Sequence, residues 1–162
     1  PDGLYGNAFA LAEEEQVRDA TKALTPPTVS NILAIAAPGG GSGTYSLEEI
    51  RNILKAACTG FSAAGEESRR LAGPDARAVI HTGFWGCGAF GGNRELMTIL
   101  QCLAADLANA DLVFWTFQPS GLQVGAGARQ KYESLRETET RVDVLLNSLF
   151  EMKVHWGVPD GN

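Results

Sequence analysis

The most constraining feature of the sequence is a glycine-dense segment in the middle of the chain. Residues 83–92 read GFWGCGAFGG, follow the short apolar run RAVIHT at 77–82, and precede a helix-like pattern that begins after Asn93. Glycine tolerates positive φ and a close approach of the main chain to a ligand. A helix N-terminus directs free N–H groups and positive charge to the same point. The segment therefore predicts a strand, a backbone loop suited to phosphate, and a helix capped by Asn93.

Strand-like and helix-like patterns alternate along the rest of the chain. Ser46 and Glu49 form a capping-box pattern at the start of one helix. In chain order we predict a helix at 13–24, a buried strand at 29–37, a helix at 47–60, a helix end plus a surface loop that tolerates insertion at 62–76, a strand at 77–82, a helix after 93, a strand at 111–117, a Gly-rich loop, and one long last helix containing Leu135 to Phe150. This order predicts an α/β fold with a mostly parallel sheet and helices on both faces.

Composition bounds the class of protein. With 162 residues, of which 44% are hydrophobic, the chain is expected to be a single globular domain or part of one. The net charge of −6 and the scattered Lys and Arg residues argue against a nucleic-acid partner. No apolar run is long enough for a membrane span, so no membrane partner is expected.

Cysteine and histidine are too sparse for a disulfide framework or a metal site. The three cysteines are Cys58, Cys87 and Cys102, an odd number without CxxC spacing, and they indicate a reducing, cytoplasm-like compartment. The two histidines, His81 and His155, lie far apart in the sequence. We therefore expect no metal ion.

Other phosphate-binding patterns fit the glycine segment less well. Gly86-x-Gly88-x-x-Gly91 matches the dinucleotide fingerprint, but no acidic residue ends the next strand, where residues 116–118 are Thr, Phe and Gln. A P-loop is excluded because Gly92 and Asn93 follow Gly91 instead of Lys and Ser or Thr. A dinucleotide-binding oxidoreductase subunit remains a weaker alternative. An NTPase is excluded.

Two further interpretations of the segment concern its side chains. Cys87 could be a nucleophile near His81, but Trp85 and Ala89 occupy the positions where a nucleophile elbow has glycines, so a small buried thiol is favoured. Phe90 would pack on a sugar or base if the loop binds a ligand. In the alternative, the loop is a tight turn with Phe90 and Trp85 in the core.

The segment TGFWGCGAFGGN, from Thr82 to Asn93, closely resembles the phosphate loop of poly(ADP-ribose) glycohydrolase-type macrodomains. The resemblance covers residues 29–117 and includes matching segments at 100–101 and 115–117 downstream. Upstream, residues 35–38 and 50–57 resemble the preceding strand and helix of the microbial members. It implies a macrodomain-like three-layer α/β/α fold with a mixed, mostly parallel sheet. The chain would hold the C-terminal portion of that domain, so the fold is expected to be incomplete.

The resemblance also implies the ligand. In that family the loop binds the diphosphate of ADP-ribose through backbone amides, so ADP-ribose or an ADP-ribosylated protein is the implied partner, with no cofactor. The aromatic residue that matches Phe90 lies against the ribose. Phe117, at the strand end, is implied as an adenine contact, with an ordinary core position as the alternative. The residues implied to bind ADP-ribose are Gly86, Cys87, Gly88, Ala89, Phe90, Gly91, Gly92 and Phe117.

The chain departs from the family at the catalytic motif. In the family a triple glycine is followed by Gln-Glu-Glu, which supplies the acid, whereas here Gly39-Gly40-Gly41 is followed by Leu47-Glu48-Glu49. The surrounding residues fit the region just before the phosphate loop, so we predict that Glu49 caps a helix. No catalytic residue is assigned, and an N-terminal segment or a second chain is the expected source of one. We expect an ADP-ribosyl hydrolase, with a non-catalytic ADP-ribose reader as the alternative.

Overall fold

The computed structural model describes residues 7–27, 31–116 and 118–159, which belong to two compact units. The described part of the first unit contains helices α1 (Asn7–Ala10) and α2 (Glu14–Ala20). Helix α2 is shorter than the helix predicted at 13–24, because Thr21 already has an extended backbone conformation. None of the α2 residues is buried, so no packing stabilises further helical turns.

The second unit has α/β architecture, as predicted. Its elements are α3 (Leu47–Ala72), β1 (Val79–Thr82), α4 (Arg94–Leu107), β2 (Asp111–Phe114), α5 (Pro119–Thr138) and α6 (Val142–Glu151). Strands β1 and β2 are parallel, with Val79 opposite Asp111 and Thr82 opposite Phe114. Helix α4 connects them, so β1, α4 and β2 form a βαβ unit, which is the connection that parallel neighbours require.

Helix α4 is the centre of the core. It packs on α3, α5 and β2, and it is apolar around most of its circumference. A helix surrounded by other elements needs apolar residues on more than one face. Its buried residues include Leu96, Met97, Ile99, Leu100 and Leu103. The N-terminus of α4 is therefore held rigidly beside the glycine segment.

The strand predicted at 29–37 is not present in the described residues of that range. Residues 31–37 form no strand, and residues 28–30 lie outside the described part. Ile35 and Leu33 instead pack closely on Gly60 of α3, where an added Cβ would lie 2.4 Å from Ile35 Cγ2. A strand needs backbone partners on a neighbouring strand, and the described residues place none beside this apolar run. The apolar pattern alone therefore did not predict a strand correctly, because it contains no information on a neighbouring strand.

The range 62–76, predicted as a helix end plus a surface loop, is helical for most of its length, since α3 continues from Leu47 to Ala72. Glu67 and Arg70 form an ion pair one turn apart in this region, at 2.5 Å. The helix ends where Gly73 takes a φ of +103° and its amide donates to the Arg69 carbonyl oxygen. Gly65 lies in the interior of this helix, at a buried position.

The Gly-rich loop and single long helix predicted at the C-terminal end are also wrong, because two helices occupy this region. Helix α5 begins at Pro119 and contains Gly121, whose added Cβ would lie 2.8 Å from Thr116 Cβ. Gly121 thus allows close packing inside a helix. Helices α5 and α6 are separated at Glu139, which takes an extended conformation with φ −146°.

One face of the small sheet is open in the described part of the chain. Val79 is 51% exposed and Trp115 is 63% exposed on that face, while Ile80 on the opposite face belongs to the core. The rings of His81 and Trp115 stack across the strands, and the Trp115 indole N–H donates to His81 Nδ1 at 3.0 Å. Among the helices of the described ranges, none is both long and apolar enough to cross a bilayer.

Candidate functional site

The glycine segment lies between the C-terminal end of β1 and the N-terminus of α4, as predicted. Asn93 is the N-cap of α4, and its side-chain oxygen accepts a hydrogen bond from the Leu96 amide at 3.1 Å. The helix dipole and the first free amides of α4 therefore point toward the loop. This is the location at which parallel α/β folds bind phosphate groups.

Glycine is required at several positions of this loop, which we call the phosphate loop (residues 86–92). Gly86 and Gly91 have φ values of +73° and +63°, which other residues rarely adopt. An added Cβ on Gly92 would lie 2.6 Å from the Gly86 carbonyl oxygen. The same two residues are joined by a hydrogen bond from the Gly92 amide to the Gly86 carbonyl, at 2.8 Å. The loop thus closes on itself, and side chains at these positions would open it.

Three amides of the phosphate loop are used within the protein. The Cys87 amide donates to Phe84, and those of Gly91 and Gly92 donate to Gly88 and Gly86. The other four amides of the loop find no acceptor among the described residues, and they belong to Gly86, Gly88, Ala89 and Phe90. Consecutive free amides form a concave anion-binding surface. The arrangement can therefore bind a phosphate group through backbone donors.

The two aromatic residues of the segment have different environments. Phe90 is 44% exposed, so it does not belong to the core and its ring is available to a ligand. Trp85 is partly buried and packs against the core, and its indole nitrogen is buried without a hydrogen-bond partner among the described residues. The core alternative is therefore wrong for Phe90 and describes Trp85 well.

Cys87 has the properties of a structural thiol. It is buried, and burial raises the pKa of its thiol to about 12, with only a small opposing effect of Arg94. A thiol with such a pKa is almost fully protonated at neutral pH and is a weak nucleophile. His81, the proposed base of that alternative, instead accepts a hydrogen bond from Trp115. The structure gives a cysteine nucleophile no support.

Glu49 is a capping residue, as predicted. Its carboxylate accepts hydrogen bonds from the amide and hydroxyl of Ser46, both at 2.7 Å, while its own amide donates to the Ser46 hydroxyl at 3.2 Å. Burial tends to raise the pKa of Glu49, but these hydrogen bonds outweigh it and lower the pKa below 4.5. Trp156 adds to this lowering, although its N–H makes no well-formed hydrogen bond.

The triple glycine and Glu49 do meet in the fold. A cavity of about 280 Å³ is lined by Gly39, Gly40, Glu49 and Trp85, among others. A general acid works best when its pKa is raised toward neutrality. Because the pKa of Glu49 is lowered, its carboxyl is ionised at neutral pH and has no proton to give. Gly39, Gly40 and Glu49 therefore line one cavity, but the lowered pKa of Glu49 opposes a role as the catalytic acid.

Sequence reasoning missed a second group of residues around the phosphate loop. Residues 154–159, which follow α6, lie against the loop: the Gly157 amide donates to the Gly91 carbonyl oxygen at 2.7 Å. The Asn93 side-chain amide donates to the His155 carbonyl oxygen at 3.1 Å. No local pattern predicted these contacts. The only signal was Trp156, an isolated large aromatic residue in a short C-terminal segment.

Two predictions about the site are not decided by the geometry. Phe117, the predicted adenine contact, lies outside the described residues, so its role remains a prediction. In the ranges 7–27, 31–116 and 118–159, no group of three His, Cys, Asp or Glu side chains is arranged to hold a metal ion. The cysteines Cys58, Cys87 and Cys102 are free thiols.

The parallel βαβ unit and its glycine loop define an α/β protein with free backbone amides before the core helix. Residues 4–124, about three quarters of the chain, match the family described as poly(ADP-ribose) glycohydrolase (PARG), Macro domain fold. The chain therefore belongs to this family, which confirms the predicted macrodomain-like fold class.

Two relatives come from the nematode Caenorhabditis elegans. Poly(ADP-ribose) glycohydrolase 1 is 33% identical over 106 residues, which are 65% of this chain and 12% of that protein. Poly(ADP-ribose) glycohydrolase 2 is 31% identical over 70 residues, or 43% of this chain and 13% of that protein. The chain thus matches about an eighth of the length of each relative. The predicted similarity to microbial members in particular is not supported.

Proposed function

We propose that this chain binds ADP-ribose through the phosphate loop and forms part of an ADP-ribosyl hydrolase that acts on ADP-ribose polymer or ADP-ribosylated protein. The observation that carries the proposal is the set of free amides at Gly86, Gly88, Ala89 and Phe90, beside the N-terminus of α4. They suit a diphosphate because each amide can donate to an anionic oxygen without a basic side chain. Family membership and the names of the two relatives support ADP-ribose as the ligand that contains this diphosphate.

The exposed ring of Phe90 supports a position for the ribose. Phe90 belongs to the loop and is 44% exposed, so we propose that its ring contacts a ribose joined to the bound diphosphate. In this proposal Phe117 contacts the adenine. The Cys87, Gly91 and Gly92 amides hold the loop closed rather than contact the ligand, because each is already used within the protein.

The catalytic acid is proposed to come from polypeptide other than these 162 residues, either an N-terminal segment or a second chain. This rests on Glu49, the carboxylate nearest to a match for the family motif, whose lowered pKa opposes proton donation. The same observation favours a second candidate function, a reader that binds ADP-ribose without cleaving it.

Calorimetric titration with ADP-ribose, with NAD as the competitor, tests the proposal once circular dichroism has shown that the chain is folded. We expect selective binding of ADP-ribose. Gly91→Val should abolish it, because the φ of +63° and the contacts around Gly91 leave no room for a branched side chain. Gly127→Ala is a matched control, since an added Cβ there meets nothing within 4 Å.

The outcomes separate the alternatives. Unchanged affinity of Gly91→Val would refute the phosphate-loop assignment, and preference for NAD would favour an oxidoreductase subunit. Hydrolase and reader are separated by incubating the protein, with and without its proposed completing polypeptide, with ADP-ribosylated protein or polymer. Release of free ADP-ribose identifies the hydrolase, whereas binding of unchanged ligand identifies the reader.

A further inference from the structure

We infer that residues 154–159, which we call the strap, position the phosphate loop for its ligand, and that Trp156 is the principal positioning residue. The strap lies outside residues 4–124, the region that matches the family, so family membership does not assign it this role. The inference rests on the proposed function, because the loop that the strap contacts is the proposed diphosphate site.

The strap makes direct contact with the loop at Gly91. The Gly157 amide donates to the Gly91 carbonyl oxygen at 2.7 Å, and this bond fixes the direction of that carbonyl group. An added Cβ on Gly91 would lie 2.8 Å from Pro159 Cδ and 2.9 Å from the Gly157 carbonyl oxygen. The two segments are thus packed backbone to backbone. The strap therefore restricts the backbone of Gly91 to the conformation with φ +63°.

The strap is attached to the core through Trp156. Its ring stacks on Tyr45, with centroids 4.1 Å apart and an interplanar angle of 17°. Its backbone amide donates to the Gly43 carbonyl oxygen at 2.9 Å, and the Tyr45 amide donates to the Val154 carbonyl oxygen at 2.9 Å. Trp156 is 9% exposed and Tyr45 is 1% exposed, so the pair is a buried anchor.

The same anchor also contacts Asn93, the residue that follows the phosphate loop. The Tyr45 hydroxyl accepts a hydrogen bond from the Asn93 amide at 2.8 Å. The Asn93 side chain donates to the His155 carbonyl oxygen at 3.1 Å while its oxygen caps α4. Strap and anchor therefore hold the C-terminal end of the loop, at Gly91 and at the adjoining Asn93. Glycine-rich backbone has many accessible conformations, so holding it in one arrangement reduces the entropy that a ligand must remove on binding.

Substitutions at Trp156 distinguish positioning from general support of the fold. Trp156→Phe keeps a ring on Tyr45, and the indole N–H that it removes has no hydrogen-bond partner among the described residues. Trp156→Ala removes the stack. Gly157→Pro removes the N–H that binds Gly91 and places ring carbons against the Gly91 carbonyl oxygen, so it separates the strap from the loop, at an exposed position where the fold should persist. Val158→Ala is the matched control, because Val158 is 87% exposed.

The experiment measures ADP-ribose affinity, amide hydrogen exchange of residues 86–92 and the thermal midpoint for the chain and all four variants. We expect Trp156→Ala and Gly157→Pro to bind about tenfold more weakly and to exchange faster in the loop, in line with a loss of preorganisation. Gly157→Pro should keep its thermal midpoint. Trp156→Phe and Val158→Ala should retain the affinity and exchange of the unmodified chain.

The results also separate this inference from the proposed function. If the unmodified chain binds ADP-ribose and Gly157→Pro binds it equally well, with unchanged loop exchange, the strap has no positioning role. If the unmodified chain does not bind ADP-ribose, the proposed function fails. Loop exchange then still decides the inference, because faster exchange confined to residues 86–92 shows that the strap orders the loop, and unchanged exchange overturns it.

Discussion

The side chain of Gln101 in the middle of α4 donates a hydrogen bond to the carbonyl oxygen of Gly83, 3.1 Å away. Its oxygen accepts a second hydrogen bond from the Thr82 hydroxyl at 2.6 Å. Gln101 is only 1% exposed, in a helix whose other buried residues are almost all apolar. A buried amide is stable only when its hydrogen bonds are made. Gln101 therefore ties the core helix to the point where β1 passes into the glycine segment.

Replacement of Gln101 by Leu should destabilise the protein by about 1–3 kcal/mol, because it leaves the Gly83 carbonyl and the Thr82 hydroxyl without their partner. Urea unfolding followed by circular dichroism measures this loss. Leu107→Ala, at a 51% exposed position on the same helix, should change stability much less. Equal stability of Gln101→Leu and the unmodified chain would show that the two hydrogen bonds are not needed.

Alkaline pH should destabilise the protein through Tyr45. Burial raises the pKa of the Tyr45 hydroxyl from 10.0 to about 12, and the Asn93 amide only partly opposes this effect. The unfolded chain loses the proton near pH 10 while the folded chain keeps it, so stability falls as the pH rises from 10 toward 12. The stability of Tyr45→Phe should fall less steeply over that interval. Urea midpoints from pH 8 to pH 11 test this, and parallel slopes for the two proteins would contradict it.

Cys87 should react slowly with iodoacetamide. Burial raises the pKa of its thiol to about 12, so the reactive thiolate is scarce at pH 8. Mass spectrometry after timed labelling of the native chain should show much slower modification of Cys87 than of a cysteine in a short free peptide. Labelling in urea is the control, since unfolding removes the burial. Rapid labelling of Cys87 in the native chain would restore the nucleophile interpretation.

Loss of the Ser46 cap should destabilise α3. Ser46→Ala removes the hydroxyl that accepts from the Glu49 amide, which typically costs about 1 kcal/mol. Ser62→Ala, at an exposed interior position of the same helix, should have little effect or a slightly stabilising one. Urea unfolding compares the two variants. A larger loss for Ser62→Ala than for Ser46→Ala would contradict the capping role.

Acid should remove the contribution of Glu49 to stability. Because hydrogen bonds from Ser46 outweigh burial and lower its pKa, this contribution is present above 4.5 and is lost as the pH falls through the lower folded value. The stability difference between the unmodified chain and Glu49→Gln should therefore be largest near neutral pH and smallest at pH 3. A difference that is constant from pH 7 to pH 3 would show that the charge of Glu49 has no stabilising role.

Features that depend on neighbouring residues in the chain were predictable from sequence. The Ser46–Glu49 capping box and the Asn93 cap arise from side chains and backbone a few residues apart. The parallel β1–α4–β2 unit was predictable from the alternation of strand and helix patterns, because a helix between two such strands favours their parallel pairing. The glycine segment was predictable because its positive φ values are a local property. Its role in binding ADP-ribose is a proposal that the titration experiment will decide.

Features that depend on distant segments were predicted poorly. Residues 31–37 have the composition of a buried strand, but strand formation depends on a partner elsewhere in the fold. The predicted Gly-rich loop after β2 is instead the start of α5, where close packing against Thr116 and Phe84 explains Gly121. In each case the conformation of the segment depends on its tertiary contacts more than on its local sequence.

The sequence by itself thus determined the kind of loop and the helix cap beside it, because φ angles and capping bonds involve residues within a few positions of one another. Only the tertiary structure decided that Gln101 binds the Gly83 carbonyl and that residues 154–159 lie against Gly91. Burial, pKa and backbone pairing are set by atoms that are far apart in the chain, and folding alone brings them together.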